Sequence, residues 1–278
     1  MRLYIIYQWV NMTLLAQLPY SQSITALTVD NLSAGYRGSD FAIADICFDL
    51  HIGERVALIG PNGAGKSTLF KALVGMIPHQ TGYISLHGED CRTSHKLFGY
   101  VPQQEAIDWS FPVTVEDVVM MGRVRKIGWF KMPNKHDRQI VHHALEQVGM
   151  ADFIHRQIGQ LSGGQRRRVF IARALAQETD VLLLDEPFNG VDVNAEEEIL
   201  ATLTDLQSKG ITMLIATHDL TLAQTRFDRV IVLNRRIIAD GAPKDVFTPE
   251  ILRRAYGNRV GIFEHGGQAT FFLEDSIV

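Results

Sequence analysis

The chain has 278 residues, of which 46% are hydrophobic, and its formal net charge is −4. This length accommodates one large domain or two small ones with a sizeable core. The mild acidity gives no reason to expect a nucleic-acid partner. No apolar run approaches the roughly twenty residues that a membrane-spanning helix needs, so at a membrane the chain must dock on another protein. Cys47 and Cys91 lack metal-type spacing and indicate reduced, structural thiols in a cytosolic setting.

Residues 1–22 form an N-terminal extension to which we assign no function. Leu3 to Val10 is apolar and follows Arg2, which resembles a secretory signal. The apolar part is short, however, and no clean cleavage site follows it. We therefore favour a loosely attached segment, with Met12 as an alternative start.

Three strands are predicted next. Apolar and polar residues alternate over Ile24–Asp30 and Phe41–Leu50, and Val56–Ile59 is an apolar run. These strands indicate an antiparallel β-layer that leads into a phosphate-binding loop. Tyr36 lies in the turn between the first two strands. Its ring offers a π-face to an adenine base, although the local sequence alone favours an ordinary loop tyrosine.

The phosphate-binding loop fits G-x-x-x-x-G-K-[ST] and joins a strand end to the start of a helix over Lys66–Gly75. Its glycines allow several N–H groups to converge on one anion, and the helix N-terminus adds partial positive charge. Lys66 is expected to reach the β- and γ-phosphates, and the Ser67 hydroxyl to bind Mg²⁺. The loop consists of Gly60, Pro61, Asn62, Gly63, Ala64, Gly65, Lys66, Ser67 and Thr68.

The middle of the chain contains two further strands and a change in composition. The strands are predicted at Tyr83–Leu86 and Leu97–Val101, and Gln103 follows the second, where its amide could bind Mg²⁺ or hold a water molecule. A short helix is predicted over Thr114–Met121. Residues 122–135 are basic and aromatic. A solvated loop or a protein-docking surface fits this patch better than nucleic-acid contact, because the chain is acidic.

Two patterns in the following helix imitate functional motifs. Asn134-Lys-His-Asp137 has the same sequence pattern as a guanine-binding motif. That motif follows an apolar strand, whereas Asn134 to Asp137 lie at the start of a predicted helix. We interpret Asn134 as the helix N-cap. His136, His142 and His143 could suggest a metal site. Adjacent histidines point in different directions on a helix, so we place them at the surface.

A second anion site is predicted at Leu161-Ser-Gly-Gly-Gln165. Ser162 is a natural N-cap, and Gly163 and Gly164 expose backbone N–H groups at the start of a helix that runs to Ala176. Gln165 completes the motif. The arginines that follow fit a solvated face; they are Arg166, Arg167, Arg168 and Arg173.

Acidic and histidine side chains follow two buried strands. Val181-Leu-Leu-Leu ends at Asp185 and Glu186, and Ile211–Ala216 is followed by Thr217 and His218. Ligand groups lie at the carboxyl ends of parallel strands, so Asp185 is expected to hold Mg²⁺ and Glu186 to orient a water molecule. His218 is placed to contact the γ-phosphate. The remaining predicted elements are a helix over Asn194–Leu206, strands over Val230–Leu233, Arg236–Ala239 and Thr270–Leu273, and a helix over Thr248–Tyr256.

The order and spacing of these motifs over roughly residues 24–245 resemble the ATP-binding-cassette (ABC) ATPases, and Leu-Ser-Gly-Gly-Gln is the specific part. The resemblance implies an α/β P-loop core with a mixed sheet, an N-terminal antiparallel layer and an inserted helical subdomain. It implies that Tyr36 stacks on adenine and that Gln103 binds magnesium and couples to transport. Asp192 falls in the family's dimer-contact loop, which here reads Asn-Gly-Val-Asp rather than the commoner Ser-Ala-Leu-Asp.

Residues 109–122 and 188–192 are similar to the branch that imports manganese, zinc or iron. The resemblance implies ATP and Mg²⁺ as cofactors and a head-to-tail homodimer on membrane permease subunits that work with a substrate-binding protein. The subunit is expected at the cytoplasmic face of the bacterial inner membrane, with manganese the first choice of cargo. Trp109 and Phe111 are the candidate permease contacts. The alternative is a soluble ABC ATPase of DNA repair or translation.

The expected boundaries are residues 23–257 for the ATPase domain, 104–176 for its helical subdomain and 258–278 for a C-terminal tail.

Overall fold

The computed structural model of the chain describes residues 24–36, 41–77, 79–91, 98–103, 112–128, 131–257, 260–265 and 268–273. The N-terminal extension, Trp109 and Phe111 lie outside these residues. The strands are β1 Thr25–Ala34, β2 Ile43–His51, β3 Arg55–Ile59, β4 His79–Leu86, β5 Glu89–Asp90, β6 Gly99–Val101, β7 Val181–Asp185, β8 Thr212–Ala216, β9 Arg229–Asn234, β10 Arg236–Gly241, β11 Val260–His265 and β12 Gln268–Leu273.

The α-helices are α1 Lys66–Leu73, α2 Val115–Met120, α3 Val124–Ile127, α4 Lys135–Gln147, α5 Gly163–Leu175, α6 Val193–Ser208, α7 Leu220–Arg226, α8 Pro243–Val246 and α9 Pro249–Tyr256. Short 3₁₀ turns cover Met121–Arg123, Ala151–Phe153 and Ile158–Gln160. Within the described part of the chain, none of these helices has the length and apolar character required to span a bilayer.

The central sheet has the strand order β10-β9-β3-β8-β7-β6. Its neighbours pair in parallel from β9 to β6, and β10 pairs antiparallel with β9. A second, antiparallel sheet has the order β2-β1-β4-β5. The predicted α/β fold with a mixed sheet and an N-terminal antiparallel layer is therefore confirmed. The strand before the phosphate loop lies inside the parallel sheet, between β8 and β9.

The central sheet separates two hydrophobic clusters, and alternate residues of each strand face opposite clusters. In β3, Ala57 and Ile59 pack with the helices, whereas Val56 and Leu58 pack with α1 and the antiparallel sheet. All four side chains are fully buried. Because β3 is fixed on both faces and both edges, the phosphate loop starts from a rigid strand end.

Helices α2, α4 and α5 each begin with a capping box. In this arrangement the N-cap side chain accepts from the backbone N–H three residues later, and the side chain of that later residue accepts from the N-cap N–H. Thr114 pairs in this way with Asp117, Asn134 with Asp137, and Ser162 with Gln165. The predicted N-caps at Asn134 and Ser162 are confirmed. His142 and His143 are exposed beside Glu146, as expected for surface residues.

The basic segment after α2 begins with regular structure, a 3₁₀ turn over Met121–Arg123 followed by α3. Arg123 is only 3% exposed, and its guanidinium donates to the Asp137 carboxylate, the Ala176 carbonyl and, at 2.6 Å, Glu178. These bonds connect the start of α4 to the end of α5. A buried guanidinium is stable only when hydrogen-bonding or oppositely charged groups surround it, and here these groups come from distant parts of the sequence.

Five regular elements have no counterpart in the sequence analysis, namely β5, α3, α7, α8 and β11. Helix α7 begins at Leu220, and its N-cap is Asp219, whose carboxylate accepts from the Leu222 N–H at 2.8 Å. Strand β11 pairs antiparallel with β12 to form a C-terminal hairpin. The predicted strand over Thr270–Leu273 is the second half of this hairpin.

Candidate functional site

The phosphate loop follows β3 directly and ends at Gly65, the N-cap of α1, whose φ of 101° suits only glycine. The loop borders a cavity of about 690 Å³. Lys66 is only 8% exposed, and its Nζ donates to the Gly60 carbonyl at 2.7 Å. The cavity is lined by Ala42, Gly60, Pro61, Asn62, Gly63, Ala64, Gly65, Lys66, Ser67, Thr68, Gln103, Asp185, Glu186, Asn189, His218, Arg235 and Tyr256.

The carboxyl ends of β7 and β8 bring the predicted polar residues together at this cavity. Glu186 adopts a φ of 53°, so the backbone leaves the strand direction immediately after Asp185. Its Oε2 lies 2.6 Å from His218 Nδ1, and its Oε1 lies 4.0 Å from Lys66 Nζ. The Glu186 carboxylate thus lies between the His218 imidazole and the Lys66 ammonium group.

Burial and neighbouring charges act in opposite directions on the ionisable groups of the cavity. Burial lowers the pKa of Lys66, and the carboxylates of Glu186 and Asp185 oppose this effect. Burial raises the pKa of Asp185, while a hydrogen bond from Ser67 opposes the rise. The site therefore holds its charges with incomplete solvation, which favours binding of a highly charged ligand.

The residues present fit a magnesium ion. Asp185 Oδ1 is buried without a hydrogen-bond partner among the described residues, and the Ser67 hydroxyl bonds to the same carboxylate. Gln103 also lines the cavity. Carboxylate, hydroxyl and amide oxygens are the ligands that Mg²⁺ prefers, and an orphaned carboxylate oxygen is costly unless a cation or water satisfies it.

Several predicted residues lie away from the cavity within this chain. Tyr36 is 48% exposed and does not line it. Ser162 and Gly163 are exposed at the start of α5, and the motif from Leu161 to Gln165 contributes nothing to the cavity lining. Asp192 is exposed and caps α6, where its Oδ1 accepts from the Ala195 N–H at 2.9 Å. The adenine-stacking, signature and dimer-contact roles stay predictions.

The interpretation of the α5 arginines as a solvated face is wrong for Arg167. This residue is 5% exposed and donates to the Asn189 carbonyl at 3.3 Å. Burial lowers its pKa, and Glu186 and Asp185 offset that effect. In addition, a Cβ on Gly164 would lie 2.6 Å from the Ala195 side chain. The signature helix is thus packed closely against the start of α6.

Arg235 and Tyr256 are cavity-lining residues that no local pattern identified. Arg235 lies between β9 and β10, and Tyr256 is the last residue of α9. The Tyr256 hydroxyl is buried against Gly60, and burial raises its pKa. Both residues reach the phosphate loop only through long-range packing, and their sequence neighbourhoods carry no phosphate-binding motif.

The His218–Glu186 pair predicts a pH-dependent stability. Its hydrogen bond to Glu186 raises the pKa of His218 above the usual value of about 6.5. A raised folded-state pKa means that the pair stabilises the chain fully below about pH 6.5 and that this stabilisation is lost as the pH rises through the folded-state pKa. We expect His218→Ala to lower the unfolding free energy by about 0.5–1 kcal/mol at pH 6 and by less at pH 9.

Urea unfolding of both proteins without nucleotide measures this difference. Glu186→Gln is the control background, in which the His218→Ala effect should no longer depend on pH. An effect that is constant or that grows with pH in the parent protein contradicts the prediction.

A phosphate loop on a buried parallel strand, with two carboxylates after a neighbouring strand, defines a P-loop nucleoside triphosphatase. Residues 43–189 match the family model described as ABC transporter. The chain belongs to the ABC transporter family of ATPases, so it binds and hydrolyses ATP. The resemblance to ABC ATPases that the sequence motifs indicated is therefore confirmed.

Named relatives cover nearly the whole chain. The manganese transport system ATP-binding protein MntB of Halalkalibacterium halodurans is 46% identical over 90% of this chain and 96% of its own length. The zinc transport system ATP-binding protein TroB of Treponema pallidum is 44% identical over 89% and 94%. A metal-chelate type ABC transporter solved in an inward-facing conformation superposes with a TM-score of 0.75 at 30% identity, covering 90% of this chain and 97% of its own.

Proposed function

We propose that this chain is the ATP-hydrolysing subunit of a bacterial importer for divalent metal ions, with manganese as the first candidate and zinc or iron next. Two copies bind head to tail, and the Leu161–Gln165 motif of one closes the ATP site of the other. The relatives named for manganese and zinc transport, at 46% and 44% identity, support the cargo class. The subunit acts at the cytoplasmic face of the inner membrane on permease subunits that receive metal from a substrate-binding protein.

The observation that supports this proposal is that the Leu161–Gln165 motif does not line the phosphate cavity of its own chain. Ser162 and Gly163 are exposed at the start of a 13-residue helix, with backbone N–H groups suited to an anion, yet they do not line the cavity. A second copy can supply these groups to the open side of the cavity. ATP would then bind between two molecules and hold them together.

Hydrolysis follows from the positions of three side chains. Lys66 Nζ exchanges its bond to the Gly60 carbonyl for the terminal phosphates, whose charge it neutralises. Glu186 accepts a hydrogen bond from the attacking water and orients it in line with the γ-phosphorus. His218, 2.6 Å from Glu186, fixes that carboxylate and contacts the γ-phosphate. Once the γ-phosphate leaves, the two copies separate.

Ser67, Gln103 and Asp185 would hold Mg²⁺ beside the phosphates. When bound, the ion supplies positive charge that neutralises the β- and γ-phosphate oxygens.

The head-to-tail arrangement is tested by disulfide formation between Ser67→Cys and Ser162→Cys, after Cys47 and Cys91 have been replaced by serine. With the two cysteines on separately tagged copies, we expect an ATP-dependent crosslink between copies. Absence of an ATP-dependent crosslink between these copies would contradict the proposal, as would a crosslink that forms only within one copy when a chain carries both cysteines. Each single cysteine variant serves as the control.

The cargo is tested by reconstituting the subunit with its permease and binding protein in vesicles and measuring ATP-dependent accumulation of manganese, zinc and iron. Accumulation of manganese above the other two ions is the expected result. Purification of a fully active ATPase that never associates with a membrane protein would instead favour the soluble alternative.

The surface after Gln103 is the proposed permease contact. Exposed apolar side chains occur there at Met121 and Met132, which are 51% and 87% exposed. Trp109 and Phe111 belong to the same stretch of sequence but lie outside the described residues. Alanine at both positions should weaken permease co-purification at least about tenfold while leaving ATP binding intact, because buried aromatic anchors dominate such interfaces. Unchanged co-purification would exclude these two residues.

A further inference from the structure

Arg235 adopts a backbone conformation that an arginine does not favour. Its φ is 59°, in the left-handed region, where a long side chain costs about 1–2 kcal/mol and glycine costs almost nothing. Among the described residues other than glycine, Asn31, Asp45, His87, Glu178 and Glu186 also have a positive φ. Glu186 is part of the ATP site and Glu178 pairs with the buried Arg123. A strained residue of this type indicates that its side chain has a use.

The backbone of Arg235 joins the phosphate loop to the antiparallel sheet. Its N–H donates to the Ala64 carbonyl at 2.9 Å, and its carbonyl accepts from the Ala44 N–H at 2.8 Å. The residue is exposed and lines the cavity together with Ala42 and Ala64. The two bonds therefore fix the backbone of Arg235 at the rim of the cavity, between the phosphate loop and β2.

The charge of Arg235 is not used within the described part of the chain. Its neighbour Arg236 pairs with Asp45 at 2.9 Å, whereas no carboxylate of the described residues forms a salt bridge with Arg235. The other permanent cation of the cavity, Lys66, already bonds to Gly60 and lies beside Glu186. A solvated guanidinium at the rim of a phosphate site is suited to an incoming anion.

We propose that the Arg235 guanidinium binds the α-phosphate of the nucleotide. Lys66 lies beside Glu186 and Ser67 beside Asp185, and Lys66 is expected to reach the β- and γ-phosphates. Ala42 and Arg235 line the same cavity, and Ala42 belongs to the β1–β2 connection that also carries Tyr36, the predicted base-stacking residue. The α-phosphate lies between these two ends of the nucleotide, and a guanidinium can bond two of its oxygens at once.

This inference rests on the proposed nucleotide site, and equilibrium binding of ATP and of ADP to the purified chain tests it. Arg235→Gly suits the turn and removes the side chain. Arg235→Met keeps a long apolar stem without the charge. Both variants should bind ATP and ADP about tenfold more weakly, by the same factor for the two nucleotides, because both carry the α-phosphate. Arg235→Lys should retain part of the affinity.

Arg236→Ala is the matched control, since it removes the same charge one residue away and outside the cavity; its affinity should be unchanged. A loss for ATP alone would assign Arg235 to the γ-phosphate and overturn the inference, as would full affinity in Arg235→Met or in Arg235→Gly. An equal loss of affinity in Arg236→Ala would mean that the net charge near the cavity, and not a direct contact of Arg235, explains the weaker binding. That result would also overturn the inference. If the unmodified chain bound neither nucleotide, the proposed function itself would fail.

Arg235→Gly has a second readout that does not require a ligand. Because glycine adopts the observed φ without strain, this variant should unfold at a higher temperature than the parent chain in the absence of nucleotide. Higher stability together with weaker ATP and ADP binding is the combination that a strained, ligand-binding arginine predicts. An unfolding temperature at or below that of the parent would remove the strain argument.

Discussion

Glu186→Gln should lower the ATP turnover rate by a factor of about 10²–10⁴ while ATP binding persists. The side chain is 8% exposed, 2.6 Å from His218 Nδ1 and 4.0 Å from Lys66 Nζ. Glutamine has the same shape and keeps a hydrogen bond to His218, but it has no negative charge with which to polarise water. Loss of a positioned general base typically costs a factor of about 10²–10⁴. The phosphate loop is unchanged, so affinity for ATP should be equal or higher.

The measurement is steady-state phosphate release together with equilibrium ATP binding on the same preparation. Glu197→Gln is the control, because Glu197 lies exposed on α6 beside Arg226, away from the cavity. Its turnover should match that of the parent chain. Rapid hydrolysis by Glu186→Gln would remove Glu186 from the role of water-orienting residue.

Gly60→Ala should abolish nucleotide binding and lower the free energy of unfolding by about 3 kcal/mol. A Cβ at this position would lie 2.1 Å from the Leu233 carbonyl oxygen and 3.1 Å from the Ala64 Cβ. Leu233 cannot retreat easily, because β9 is paired to β3 on one side and to β10 on the other. The phosphate loop must therefore shift, and the N–H groups that converge on the phosphates shift with it.

Gly63→Ala separates this steric effect from the general sensitivity of the loop. Gly63 has a φ of 81°, but a Cβ added there would meet no atom within 4 Å, so alanine should cost only about 1–2 kcal/mol of backbone strain. Denaturant unfolding and ATP binding of the two variants provide the comparison. Equal stability and equal affinity of Gly60→Ala and Gly63→Ala would show that the close approach of Leu233 is not limiting.

The sequence predicted those parts of the site whose functional groups lie on consecutive or nearly consecutive residues. Gly60–Thr68 specifies a phosphate loop because the glycines, the lysine and the serine act within one turn of backbone. Asp185 and Glu186 were assigned because a buried run ends in two carboxylates. The caps at Asn134 and Ser162 were assigned because a capping box is complete within four residues.

The sequence misjudged charged residues whose partners are far away. Arg123 and Arg167 look like parts of solvated stretches, but each is buried against groups 14 to 55 residues away, among them Asp137, Asn189 and Glu178. The short helix α7 and strand β11 were missed because their apolar residues are too few to establish a period. Hydrophobic periodicity indicates which face of a helix or strand is buried. It does not indicate which distant segment packs against that face.

The amino-acid sequence thus determined that this is a nucleotide-binding α/β protein and which strand ends carry the acidic groups. It also showed that two helices begin at glycine-rich motifs. Only the tertiary structure decided that Asp185, Glu186 and His218 meet at one cavity, that Arg235 and Tyr256 join them, and that the second helix start stays outside. The physical reason is that motifs and caps are stabilised by bonds between residues a few positions apart. The walls of the cavity, by contrast, are brought together by parallel strand pairing and side-chain packing between segments that lie far apart in sequence, as Gly60 and Tyr256 do.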